Sequence, residues 1–139
     1  DYNTFLREKY EEMKKNEQRW ESILTEDAEL ILVAYGISAR VCKEAVSKAR
    51  KQGIRLGLIR PISIFPYPVD AFADLGENCR AFMTVEMSIT GQMAEDVKLS
   101  VQCRYPVYTY GTGIKVPRSM DIVEKAVQIL EGKMEREVF

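Results

Sequence analysis

The sequence predicts an α/β fold: three α/β/α layers around a mostly parallel sheet of about four strands. Three observations carry that prediction. Leu30 to Ala34 form an unbroken apolar run with no polar alternation, as expected of a strand covered on both faces. Gly36 and Ser38 follow, and then Ile37, Val41, Cys42, Ala45, Val46 and Ala49 recur at the one-sided spacing of a helix lying on a sheet, until Gln52-Gly53 ends it. A second apolar run, residues 54–60, comes at once, so strand, helix and strand make one parallel βαβ unit with a right-handed crossover.

Each element follows in turn. Residues 1 to about 22 carry Phe5, Leu6, Tyr10, Met13 and Trp20 among many charged residues, a helical pattern with a sparse apolar stripe. The segment 1–24 is therefore read as a connecting helix from a missing amino-terminal domain, and 25–139 as the α/β domain. In the first turn, Gly36 supplies the backbone freedom and Ser38 a hydroxyl able to cap the helix amides. After the second strand, Pro61, Pro66 and Pro68 deny a helix or central strand, leaving an extended loop at the carboxyl edge of the sheet.

A short helix is predicted over 70–75, ending at Gly76, and a third strand over 79–86. A helix then starts near Gly91 or Gln92, with Met93, Val97, Leu99, Ser100 and Val101 as inward candidates. The fourth strand is residues 106–110, closed by Gly111-Thr112-Gly113, and the last helix runs from about Ser119 to Glu131 on the stripe Ile122, Val123, Ala126, Val127, Ile129 and Leu130. Such alternation means helices on both faces of a parallel sheet. The strand order 2-1-3-4 is expected, because successive crossovers in opposite directions cover both faces of the first strand.

Composition excludes several classes. The 139 residues suit one domain, and a chain of this length buries roughly 65–70% of the surface its unfolded form exposes, so the core needs no disulfide or metal. The net charge of −1 carries no basic surplus for nucleic acid, and no apolar run is long enough for a membrane. Cys42, Cys79 and Cys103 fit neither a disulfide framework nor a metal-knuckle spacing, which points to a reducing cytoplasm. There is no histidine, which removes the commonest general base and any Ser/His or Cys/His pair. The chain opens on a charged helix without an initiator methionine or signal peptide, and is read as a piece of a longer polypeptide.

Motifs for chemistry are sparse. Neither glycine turn completes G-x-G-x-x-G, and no phosphate-binding G-x-x-x-x-G-K-[ST] occurs. Glu86 ends the third strand, where open α/β sheets place ligands. Its carboxylate can act in catalysis, accept hydrogen bonds from loop amides or face a partner domain. Tyr35, Arg60 and Gln92 hold similar edge positions, with ligand, interface and loop-bracing roles all open. The order 2-1-3-4 sets the carboxyl ends of strands one and three side by side. Tyr35, Gly36, Ser38, Glu86, Ser88 and Gln92 are therefore expected to line one crevice at the topological switch point, between two helix amino ends, as an interface or an anion site.

Three segments together resemble one family. The residues 33–40 (Val-Ala-Tyr-Gly-Ile-Ser-Ala-Arg), 57–68 (Gly-Leu-Ile-Arg-Pro-Ile-Ser-Ile-Phe-Pro-Tyr-Pro) and Val85-Glu86-Met87-Ser88, with Gly91-Gln92-Met93 and Asp96-Val97, are similar to the alpha subunit of 2-oxoacid:ferredoxin oxidoreductases of the 2-ketoisovalerate and 2-oxoglutarate type. The likeness covers about residues 5 to 131 and includes the charged helix around Tyr10 to Glu17. It implies the transketolase C-terminal-like domain of that subunit.

It also implies an enzyme that decarboxylates a 2-oxoacid on thiamine diphosphate with Mg2+, passes electrons through iron–sulphur clusters to ferredoxin and forms an acyl-CoA. Its partners would be a thiamine-binding beta subunit and a gamma subunit. The family's thiamine pocket and cluster cysteines lie outside the matched segments, so the resemblance assigns no catalytic, cofactor or metal residue to this chain. Two departures stand out: the connection Ser88-Ile89-Thr90-Gly91 is one residue longer than usual, and Tyr110-Gly111-Thr112-Gly113 lacks a run of glycines. The antiparallel edge strand that the family generally has is not evident. The rival readings are a stand-alone domain that binds a nucleotide or CoA-like ligand at the strand carboxyl edge, and the carboxy-terminal domain of a transketolase or pyruvate dehydrogenase component.

Overall fold

The computed structural model describes residues 1–134; the expected domain ran to 139, and its last five residues lie outside the described ones. A five-stranded sheet, in the order β1-β3-β2-β4-β5, forms the middle layer. The expected first strand is β2 (Leu30–Val33), buried at every position, and it pairs in parallel with both β3 (Leu56–Pro61) and β4 (Ala81–Glu86). Parallel β5 (Val107–Gly111) adds to β4. The four parallel strands therefore stand in the predicted order.

The fifth strand corrects the reading of the amino terminus. Helix α1 (Tyr2–Asn16) stops six residues short of the expected end, and β1 (Trp20–Ile23) pairs antiparallel with β3, Glu21 facing Arg60. The physical reason is a local alternation: Trp20 and Ser22 are exposed on one face while Glu21 and Ile23 are half-buried on the other, a period-two pattern hidden behind the charged stretch that precedes it. Glu21 seals the edge by accepting from both Lys43 and Arg60 at 3.1 Å, and these two cations hold its carboxyl below the usual range. Arg60, whose role stood open, thus braces the edge strand.

Two cores sit on the two faces. Leu30, Leu32, Leu56, Leu58 and Met83 point to α2 (Gly36–Lys51) and α4 (Ser119–Leu130), whereas Ile31, Val33, Ile59 and Phe82 point to α3 (Met93–Ser100) and a 3₁₀ turn at Val69–Phe72. Helix α1 buries none of its residues, consistent with its thin apolar stripe.

Several local expectations change. Gly36 adopts the predicted turn at φ +57, but Tyr35 is the N-cap and Ser38 lies buried in the first turn with no capping hydrogen bond, because the helix starts three residues earlier than read. Ile37 and Leu99 are exposed at 53% and 73%, and Ala94 takes the inward place on α3. The helix over 70–75 is only the 3₁₀ turn, and Ser119, the first residue of α4, turns inward to accept from Lys48 Nζ at 2.9 Å.

Cysteine reactivity follows from placement. Burial pushes the Cys42 thiol up to about 12 and Cys79 up to about 11, while Cys103 is exposed. Only the thiolate attacks disulfide reagents, so one thiol is expected to react quickly with a thiol-specific chromophore in the native chain and two more only on unfolding. Three fast thiols in the native chain would contradict this packing. Because Cys79 is buried, its replacement by serine is expected to be costly, as for Cys42, and only Cys103→Ser should stay within about 0.5 kcal/mol of the parent.

Candidate functional site

At the carboxyl edge of the sheet, β2 delivers the chain into α2 and β4 delivers it into α3. Between these diverging turns lies a crevice of about 150 Å³ lined by Tyr35, Gly36, Ser38, Glu86, Ser88 and Gln92, together with Ile37, Val85 and Met87. All six residues chosen from the sequence meet there. A second lobe of about 150 Å³ shares Tyr35, Glu86 and Gln92 and reaches Ile64, Tyr67, Met93 and Asp96.

Glu86 is its centre. The last residue of β4 is only 4% exposed, and both carboxylate oxygens accept from the Met93 amide, at 2.9 and 3.1 Å. This amide is the first of α3, so the side chain is the helix's own anion at its positive end. Burial raises the Glu86 carboxyl above its usual range, the Met93 hydrogen bond opposes that, and the nearby Asp96 charge adds to it. Asp96 is itself raised, by burial and by Glu95.

The sign for stability is definite. A carboxyl raised in the fold contributes stability that is complete below its unfolded pKa and is lost as pH rises through the folded one. Glu86→Gln is therefore expected to gain on the parent as pH increases, read as a difference in thermal midpoint that widens as pH rises above the ordinary carboxylate range. A gap independent of pH would contradict the burial of a charged Glu86.

The loop after Glu86 is braced in place. Ser88 Oγ accepts from the Gly91 amide at 3.0 Å, and Gly91 itself sits at φ +66 directly over the Thr109 side chain. Gly111 lies against the Ser88 and Ile89 carbonyls, where no side chain fits. The 88–91 connection thus folds back over the end of β5.

Sequence reasoning missed Tyr67 and Asp96. Tyr67 lies between two prolines in the loop that follows β3, stacked on Phe72 with ring centroids 6.2 Å apart, and its buried Oη has no partner among the described residues. Desolvation, then Asp96 and Glu86, push its hydroxyl strongly up. The available signal was an aromatic residue placed in a Pro-Tyr-Pro sequence soon after a strand's carboxyl end. Ser63 holds that loop, its Oγ donating to Pro66 O at 2.9 Å and accepting from the Arg19 amide at 2.9 Å.

The model of pyruvate:ferredoxin oxidoreductase core domain II matches residues 28–122. The chain belongs to this family. It is similar to ketoisovalerate oxidoreductase subunit VorB of Methanothermobacter marburgensis, 44% identical over 129 residues that make up 93% of the chain and 36% of VorB. Among solved structures, the 2-oxoglutarate:ferredoxin oxidoreductase of Magnetococcus marinus with 2-oxoglutarate, coenzyme A and succinyl-CoA bound superposes with a TM-score of 0.75 at 17% identity, over 96% of this chain and 23% of that one.

A split-gene transketolase, an inactive beta4 tetramer, superposes at 0.64 and 20% identity, over 84% and 43%. These two likenesses establish a transketolase-like fold. The core domain II chain spans about a third of the length of VorB. It is thus a domain of the kind found in 2-oxoacid:ferredoxin oxidoreductase subunits.

The described residues supply no cluster of ligands for a metal ion. Cys42 and Cys79 lie in cores on opposite faces of the sheet, and no group of three or more His, Cys, Asp or Glu among the described residues converges on a metal site. Each lobe of the crevice is also well below the several hundred Å³ typical of a small-molecule pocket. No helix of the described residues is long and apolar enough to cross a membrane.

Proposed function

We propose that this domain is the carboxy-terminal assembly domain of the alpha subunit of a thiamine-diphosphate-dependent 2-ketoisovalerate:ferredoxin oxidoreductase. The enzyme converts 2-oxoacid, CoA and oxidised ferredoxin to acyl-CoA, carbon dioxide and reduced ferredoxin. Thiamine diphosphate, Mg2+ and the iron–sulphur clusters are held outside this domain, whose work is to position its neighbours, including a thiamine-binding beta subunit and a gamma subunit, in the cytoplasm. The observation that carries this reading is the 44% identity to VorB across almost the whole chain, which covers only a third of VorB.

The carboxyl edge supports an interface there. Tyr35, Ile37 and Met87 line the crevice and are exposed at 46%, 53% and 42%. Such a rim marks a protein-contact surface more readily than a solvated face. Because α3's amino end already holds the Glu86 carboxylate, an added anion has little to gain at that side of the crevice.

The test is to assay the purified chain for viologen reduction with 2-ketoisovalerate, CoA and thiamine diphosphate, and then the full alpha polypeptide with its partner subunits. Activity is expected only in the second case. Turnover by the chain alone would overturn the proposal, and saturable thermal stabilisation of the chain by a nucleotide or CoA would favour a stand-alone binding domain.

A further inference from the structure

We infer that the lobe between Tyr67, Glu86 and Asp96 receives an arginine or lysine side chain from a neighbouring polypeptide of the assembled enzyme. The inference rests on the assembly reading above and specifies the chemistry of the partner. Four observations converge. Glu86 is almost wholly buried, yet its two oxygens share one amide donor, leaving most of their accepting capacity unused. Tyr67 Oη is buried without a partner among the described residues, and the Phe72 stack keeps its ring from swinging to water. Asp96, in the first turn of α3, puts a second carboxylate at the mouth of the same lobe.

The remaining walls are Tyr35, Ile64 and Met93, which are apolar or aromatic, and Gln92, which is exposed and carries no charge; Ile64 is 57% exposed. Buried polar atoms left unsatisfied are rare and costly, so a donor is wanted here. Two carboxylates make that donor a cation. With only two acidic ligands in the lobe and no third His, Cys, Asp or Glu lining it, a metal ion is poorly served. A guanidinium or ammonium can donate to Glu86, Asp96 and Tyr67 together, while its aliphatic stem lies along Ile64 and Tyr35. The raised carboxyls of Glu86 and Asp96 agree with a site still waiting for positive charge. The exposed apolar rim then identifies the cation's carrier as a protein surface, since a free small cation would leave that rim uncovered.

The experiment uses the full alpha polypeptide co-expressed with its partner subunits, carrying Asp96→Asn, Asp96→Lys or Tyr67→Phe. The apparent dissociation constant of the complex is measured at low and high salt. Asp96→Asn is expected to weaken association about tenfold, Asp96→Lys about a hundredfold or more, and Tyr67→Phe several-fold. The parent complex should loosen with added salt more than the Asp96→Asn complex does.

Folding is controlled by the thermal midpoint of each chain alone, which should stay level or rise for Asp96→Asn, which removes a raised carboxylate, and for Tyr67→Phe, which removes an unpaired buried hydroxyl. A Tyr67→Phe chain that is no less stable but assembles less well is the signature of the proposed contact. Association by Asp96→Lys equal to the parent's would overturn the inference, as would a merely water-filled lobe in which all three variants assemble normally. Failure of the unmodified chain to assemble at all would instead defeat the assembly reading on which the inference stands.

Discussion

Gly111→Ala is expected to destabilise the chain by about 3 kcal/mol, measured by urea denaturation. A Cβ at Gly111 would lie 2.2 Å from the Ser88 carbonyl oxygen and 3.2 Å from that of Ile89. Both are backbone atoms, so no rotamer change relieves the collision. The strand end or the whole 87–92 loop must move. That loop carries Ser88 and Gln92 into the crevice, so the same substitution is expected to weaken assembly as well as stability. Gly132→Ala is the control: φ is +72 but nothing lies within 4 Å, so only the backbone strain remains, about 1 kcal/mol. Equal costs at the two glycines would mean that the loop does not pack on β5 as described.

Phe82→Ala is expected to cost about 3–5 kcal/mol, because it opens a cavity in a fully buried position of the interior strand β4. Its ring centroid lies 5.6 Å from Phe72 and 5.5 Å from Tyr105, the latter edge-on. Phe72 in turn stacks on Tyr67, so one aromatic row runs from the α3-side core to the crevice. Loss of Phe82 should therefore loosen Tyr67 as well as the core. Phe65→Ala removes an equally large ring that is 63% exposed and touches only the edge of Tyr10 among its aromatic neighbours, with an expected cost under about 1 kcal/mol. Similar costs for Phe82 and Phe65 would contradict the placement of the core.

The parts of the fold that were legible are those whose pattern is set by burial alone. Leu30 to Ala34 read as doubly covered because every residue is apolar, and the structure covers every one. That single strand, with its flanking crossovers, was enough to place four strands in order and to bring Tyr35 and Glu86 together. Strand β1 was not legible, because an edge strand needs only one buried side and Trp20 to Ile23 carry their weak alternation next to a helix rich in charge.

The capping error at Ser38 has a similar origin. A serine two residues after a glycine suits either a cap or a buried first turn, and the φ of Gly36, which no sequence displays, decides between them. Tyr67 escaped notice because its importance comes from an unpaired hydroxyl, a property of three-dimensional surroundings with no signature along the chain. Glu86 was legible as an edge carboxylate, whereas its engagement with the Met93 amide depended on where α3 begins.

In the function proposed above, the carboxyl edge of this domain assembles the oxidoreductase and does not perform its chemistry. The most direct measurement is made on the full complex carrying Glu86→Gln, with assembly and turnover determined separately. The account predicts a reduced or unchanged yield of complex, and turnover per bound thiamine within about twofold of the parent. Normal assembly with a hundredfold fall in turnover per bound thiamine would place Glu86 in the catalytic machinery and contradict it.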